Sequence, residues 1–408
     1  HAHRDWAEAK MQTAIVNIKT IFTGDWRKPF AKGDSILMDK GKIQKVGTLT
    51  KAELKNCDVV IDANKTTACP GLIDSQVHIA FGDYTPRQKT VGFIESYLHG
   101  GVTSCLSASE VHVPGRPSDP EGVKSLAVAA KKCFDNIRPG GSRVYAGCII
   151  LEPGLTQKDF NEVAKKGIWF AKAGFGAVKT PFDYTPLVRM AQKAGMLVNC
   201  HTGGASIPGS SPIIGKHLMD MRPDVSFHIN GGPIAMPDKD FPMIVNETKI
   251  ALQICQAGNI RTALMCLKLA VENDQFDRFL IATDTPTGTG VMPLGMIKSV
   301  TEMATLSDYP AEWMLAAATG SVARIYRLNS GFIQRGKDAD VLLIDAPLGG
   351  SKNTALEAIK YGDLAAVGAV ITDGVPRFIG RSRNTPPTTR PIRTIRNNIP
   401  FDFSGAAH

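Results

Sequence analysis

Between residues 68 and 335, short apolar runs alternate with amphipathic stretches. The apolar runs fall at 70–80, 101–107, 143–151, 168–172, 196–201, 225–229, 249–255 and 279–284. Unbroken apolar character over so few residues suits strands buried on both faces. Helical periodicity fills most of the intervals, as at 120–134, 185–194 and 260–272. Strand and helix repeated about eight times predict an α/β fold with a parallel sheet, and at this length a (β/α)8 TIM barrel.

The two ends of the chain have another texture. In residues 12–67, segments 13–18 and 34–38 are β-like, and Asp39-Lys-Gly-Lys turns the chain into 43–46. In residues 336–379, segment 339–344 reads as a strand and 370–379 as a hairpin around Asp373-Gly374. These ends are expected to pair as one small β-sandwich domain made of 12–67 and 336–379. Residues 68–335 are then the barrel domain and 380–408 a basic, Pro-rich tail.

Composition narrows the class. The chain has 408 residues, 43% hydrophobic and 21% charged, which excludes a disordered chain. No apolar run approaches the ~20 residues needed to span a bilayer. The first residues carry no apolar stretch of the secretory kind. Net charge is +9, and residues 376–408 hold six arginines against the single acid Asp402. That tail contains prolines and lacks interleaved stacking aromatics, so it is expected to wrap over a subunit or a neighbour rather than to bind nucleic acid. The 8 cysteines are scattered without a CxxC pair. Free thiols in a reducing cytoplasm are expected.

In such barrels the chemistry sits where strands end. Gln76 and His78 follow the first strand, Lys172 the fourth, His201 the fifth, His228 the sixth and Asp284 the eighth. Gln76 and His78, two apart on a strand, point the same way. His201 and His228 each lead into a Gly-rich loop. Imidazoles and a carboxylate at one mouth predict a site for a divalent transition metal, zinc first, with iron, manganese or cobalt as alternatives. Lys179 is a second candidate for the role of Lys172. His99 is expected to cap a helix end and His217 to lie on the surface. Ser206, Ser210 and Ser211 lack a Gly-x-Ser-x-Gly elbow and are not read as nucleophiles.

Pro70-Gly-Leu-Ile-Asp-Ser-Gln-Val-His78 resembles the PGLID-x-HxH signature of the amidohydrolase superfamily, with Gln76 in place of the first His. Stretches 82–90, 114–117, 201–211, 228–233, 288–295 and 382–387 resemble its enamidase branch, the cyclic-amide hydrolases of nicotinate fermentation. In this family the His-x-His pair holds the buried metal of a two-metal site, and a strand-four residue bridges the metals. The resemblance places Lys172 at the bridge, either carboxylated by carbon dioxide or as a plain ammonium standing in for a cation. With Gln76 at the first position, one metal held by His201 and His228, helped by Lys172 or Asp284, is expected.

The resemblance implies hydrolysis of a cyclic amide or related C–N bond through metal-activated water, with Asp284 moving the proton. Arg87, Tyr84, Arg116 and His112, in the loops after the first two strands, are the expected contacts to a small anionic substrate. Neither nucleic acid nor membrane is an expected partner, and a homo-oligomer in the cytoplasm is expected. Two other readings stay open: a catalytically weakened paralogue acting as a structural or regulatory subunit, and a mononuclear metal-dependent lyase or decarboxylase.

Overall fold

The computed structural model describes residues 11–79, 92–110, 115–205, 209–232, 234–286 and 290–399. Its middle is built on parallel strands with helices between them. Leu72–Val77, Val102–Ser107 and Arg143–Tyr145 form one sheet. Ile149–Ile150, Phe170–Ala173, Leu197–His201, Val225–Phe227, Ala251–Cys255 and Phe279–Ala282 form another, each strand parallel to the next. The predicted run 143–151 is thus split between two sheets. The first and last strands are joined at their carboxyl ends, where Asp284 N donates to Gln76 O at 3.0 Å and His78 N to Thr285 O at 2.7 Å.

The alternation of side chains along these strands decides what faces inward. Ile73, Leu106, Phe170, Leu197, Val225, Phe227, Ala251 and Leu280 pack in one cluster with Val322, Ala323 and Tyr326. The alternate residues, such as Ala171, Val198, Leu252 and Ile281, pack in the larger cluster shared with the helices. Tyr326 plugs the amino end of the strands, and its hydroxyl donates to Asn199 Oδ1 at 2.7 Å. Moving toward the carboxyl ends on the same inward rows, apolar residues give way to Lys172, His201, Cys255 and Asp284. The first strand carries a bulge between Asp74 and Val77, which lets both Ser75 and Gln76 face inward.

The apolar run predicted at 70–80 changes sheet at Gly71. Thr67–Pro70 pairs antiparallel with Val341–Asp345, whereas Leu72–Val77 joins the parallel set. A Cβ at Gly71 would lie 2.0 Å from Thr103 Oγ1, so only glycine allows this crossing. The chain ends build two further sheets. One orders Arg393–Asn397, Val59–Asp62, Gln12–Val16, Ser35–Asp39 and Lys42–Gly47; the other orders Val375–Ile379, Ala366–Thr372, Val341–Asp345, Thr67–Pro70, Thr20–Phe22 and Phe30–Ala31. Ile15, Ile36, Val59 and Ile61 from the first share one buried cluster with Ala68, Val341, Leu343 and Ile371 from the second. The Asp373-Gly374 turn has φ of 50° and 73°, the left-handed pair a tight two-residue hairpin requires.

The basic tail, expected over a subunit or a neighbour, docks on its own chain through residue 399. Arg393–Asn397 pairs antiparallel with Val59–Asp62, Arg390 Nη1 donates to Asp345 Oδ1 at 2.7 Å, and Arg396 Nη1 donates to Leu54 O at 2.6 Å. Among the described residues no helix is long and apolar enough to cross a membrane.

Candidate active site

Six side chains expected at strand ends come from the carboxyl ends of the parallel strands, and all six are buried. His201 ends its strand and His228 follows Val225–Phe227 by one residue. Their rings meet edge to face with centroids 4.6 Å apart. His201 Nε2 donates to Gly204 O at 2.8 Å, and His228 Nδ1 to Thr202 O at 2.9 Å. These carbonyls accept only, which fixes the tautomers: Nδ1 of His201 and Nε2 of His228 keep their lone pairs. His201 Nδ1 is buried without a hydrogen-bond partner. Burial, then the neighbouring His201, pushes His228 down to about 3. Burial pushes His201 down to about 4 against the opposing pull of the Gly204 carbonyl. Both rings are therefore neutral near pH 7, the form a metal takes.

Asp284 faces the first strand. Its Oδ1 accepts from Gln76 Nε2 at 2.8 Å and from His78 Nε2 at 3.0 Å. Asp284 and His228 both hold left-handed backbone, with φ of 62° and 33°. For non-glycine residues such conformations cost on the order of 1–3 kcal/mol each and cluster at functional sites. Lys172 lies deep among these groups. Its Nζ sits 4.7 Å from the Phe175 ring centroid and 5.2 Å from that of Phe227. Burial lowers its pKa, opposed by the charge of Asp284.

The donor set fits a metal in one half of the site and not in the other. The neutral imidazole pair, with the orphaned Nδ1 of His201, offers two nitrogen ligands of the kind zinc takes. The Gln76 side offers an amide N–H to the carboxylate instead of a ligand lone pair. Among the described residues no group of three or more His, Cys, Asp and Glu is gathered ready to hold an ion, so the imidazole pair is the core of what the chain presents.

The other expectations fare differently. Tyr84, Arg87 and His112 lie outside the described residues. Arg116 is held within the chain: Nη1 donates to the buried Glu152 at 2.9 Å and Nη2 to Phe175 O at 3.0 Å. Glu152 also accepts from Ala177 N at 2.7 Å, so this pair braces the loop that carries Phe175 over Lys172. Lys179 is exposed. His217 is buried, not on the surface; its Nδ1 accepts from Ile214 N at 3.1 Å and its ring meets Phe182. Among the described residues His99 caps no carbonyl; its Nδ1 accepts from Arg383 N at 3.1 Å and its ring stacks on Phe378. Sequence reasoning missed Cys255, whose Sγ donates to Gln76 Oε1 at 3.2 Å, and Asn230, which fastens Cys255 through both backbone groups. It also missed Asp74, which accepts from Gln76 N and Thr283 N and is pushed up to about 7 by burial.

The model of the amidohydrolase family matches residues 67–376. The chain belongs to the amidohydrolase family. It is similar to an enamidase of Eubacterium barkeri, 41% identical over 385 residues, covering 94% of this chain and 100% of that protein. The solved structure of an enamidase superposes with a TM-score of 0.90 at 41% identity, covering 94% of this chain and 100% of that one. An adenine deaminase of Bacillus velezensis is 23% identical over 363 residues, covering 85% of this chain and 56% of that protein. A beta-aspartyl dipeptidase of Fervidobacterium islandicum, 17% identical with a TM-score of 0.63 and covering 93% of this chain and 98% of that one, shares the fold. The amidohydrolase chain described here has the mixed α/β fold of its family and is an enamidase-like hydrolase acting on non-peptide C–N bonds. The match along nearly the whole chain favours neither the subunit nor the lyase alternative.

Proposed function

We propose that this amidohydrolase opens a cyclic amide, or a related C–N bond, in a small anionic substrate, and that it does so with a divalent metal, zinc first. The observation that carries the reading is the meeting of His201 and His228 as neutral imidazoles with fixed tautomers. His201 Nδ1 and His228 Nε2 would hold the ion, with Asp284 or a carboxylated Lys172 completing its shell. A bound cation of this kind polarises the amide carbonyl and lowers the pKa of water to ~7.

The chain's own groups do the rest. Asp284, held through Oδ1 by Gln76 and His78, accepts the proton of the attacking water and returns it to the leaving nitrogen. Burial favours the neutral amine of Lys172, the form that combines with carbon dioxide. Phe175 and Phe227 close the space around it. Tyr84, Arg87 and His112 are assigned to the substrate side, from the loops after the first two strands. Arg116 is assigned to bracing the site.

The parallel strands are read as one closed (β/α)8 barrel, with 143–150 as a single interrupted strand. The backbone bonds of Gln76 and His78 to Asp284 and Thr285 support that closure. Residues 12–67 and 336–379 are read as a β-sandwich domain, supported by their shared apolar cluster. The eight cysteines are all free, which suits a reducing cytoplasm.

The test is a panel of lactams and cyclic enamides, with and without a ring carboxylate, offered to the zinc-loaded protein. Ring opening of the carboxylated members is expected. Failure to open any cyclic amide would sink the reading.

A further inference from the structure

The strand Ala251–Cys255 ends on a thiol that faces the site. Cys255 Sγ donates to Gln76 Oε1 at 3.2 Å, and Gln76 Nε2 donates to Asp284 Oδ1 at 2.8 Å. His78 Nε2 donates to the same oxygen at 3.0 Å. The direction of each bond is forced. A carboxylate only accepts, so the amide must present its nitrogen to Asp284. The amide oxygen then points the other way, toward the thiol, whose Sγ lies nearer to it at 3.2 Å than to its second acceptor, Gln253 Oε1, at 3.6 Å. Cys255 is itself fastened, since its N donates to Asn230 Oδ1 at 2.9 Å and its carbonyl accepts from Asn230 Nδ2 at 3.0 Å. Gln76, His78, Cys255 and Asp284 are all buried.

We propose that this thiol–amide–carboxylate chain fills the inner metal position of the two-metal amidohydrolase plan, and that Cys255 is the positioning residue that locks Gln76 into it. The proposal rests on the hydrolase reading above, in which His201 and His228 hold the one ion. For Gln76 to ligate a cation, its oxygen would have to turn toward Asp284. That turn breaks the bonds to Cys255 and Asp284 together and leaves the amide N–H against a thiol. An amide oxygen is also a poor replacement for imidazole on zinc or cobalt. The lock therefore favours an inner position without an ion, and the lock fails when the thiol donor is removed.

The experiment is metal content per chain on the full-length protein loaded with cobalt(II), together with its absorption spectrum. Wild type should hold one ion. Cys255→Ser keeps a donor and should match wild type in stoichiometry and spectrum. Cys255→Ala removes it and should admit a second, weaker cobalt, with a second-site affinity at least about tenfold above that of Cys255→Ser. Circular dichroism checks that both variants fold, and the wild-type count stands without them. Two tightly held ions in wild type would overturn the proposal and leave the hydrolase reading intact. So would an intense thiolate-to-cobalt charge-transfer band that Cys255→Ser abolishes, because the thiol would then be a ligand. Zero ions in wild type would overturn the hydrolase reading as well.

Discussion

His201 and His228 stand at the ends of neighbouring parallel strands with ring centroids 4.6 Å apart, each with one nitrogen committed to a backbone carbonyl. The apolar rows below them supply the packing, so the pair is separable from the fold. His201→Ala should abolish metal binding and leave the circular dichroism spectrum unchanged. Full metal content in that variant would remove His201 from the site.

Gly174 sits behind this pair. Its φ is 129°, and a Cβ there would lie 2.4 Å from His201 Cβ. Gly174→Ala should therefore push His201 off its position and weaken metal binding by about 10–100-fold, the range seen when the support of a ligand is lost. Competition with a chelator of known affinity reads this directly. Unchanged affinity would mean that the His201 backbone moves freely.

Lys172 carries the next prediction. If its amine forms a carbamate, Gln76→His restores the second strand-one imidazole to a site with a bridging carboxylate. Gln76→His should then bind more metal than wild type, and bicarbonate should raise the content further. If bicarbonate changes nothing, Lys172 acts as an amine or ammonium instead.

The fold was legible where physics leaves a local trace. Parallel strands buried on both faces read as short apolar runs, and the one at 279–284 led directly to Asp284. A polar residue closing such a run is visible, which is why His201 and Lys172 were found. Cys255 closes its run in the same way and was missed, because a thiol passes for an apolar residue. The bracing bonds of Arg116 had no sequence signal, because its partners, Glu152 and Phe175, lie far along the chain. His217 was misread because the polar letters around it hide its packing against Phe182. The docking of the basic tail on its own chain left no sequence signal for a related reason: Arg390 meets Asp345 and Arg396 the carbonyl of Leu54, which no count of arginines reveals.

His99 links the tail to the body of the protein, and burial, with the nearby Arg383, pushes it down to about 4. An unfolded histidine titrates near ~6.5. Between these values the unfolded chain binds the extra proton, so stability is complete above about pH 6.5 and falls as the pH drops toward 4. With solvent screening of this partly buried ring, the loss is on the order of 1 kcal/mol. Thermal melts of wild type and His99→Gln from pH 7 to 5 should show a smaller acid loss in the variant. Equal slopes would mean that His99 titrates normally.

If the imidazole pair makes this chain a metal-dependent hydrolase of cyclic amides, its rate must follow its metal. The most direct measurement is the rate of ring opening of a carboxylated cyclic amide before metal removal, after it, and after zinc is returned. Several kcal/mol of metal assistance predict a fall of about 10²–10³-fold or more, with recovery on reloading. A rate that survives complete metal removal would mean that the imidazole pair holds no catalytic ion.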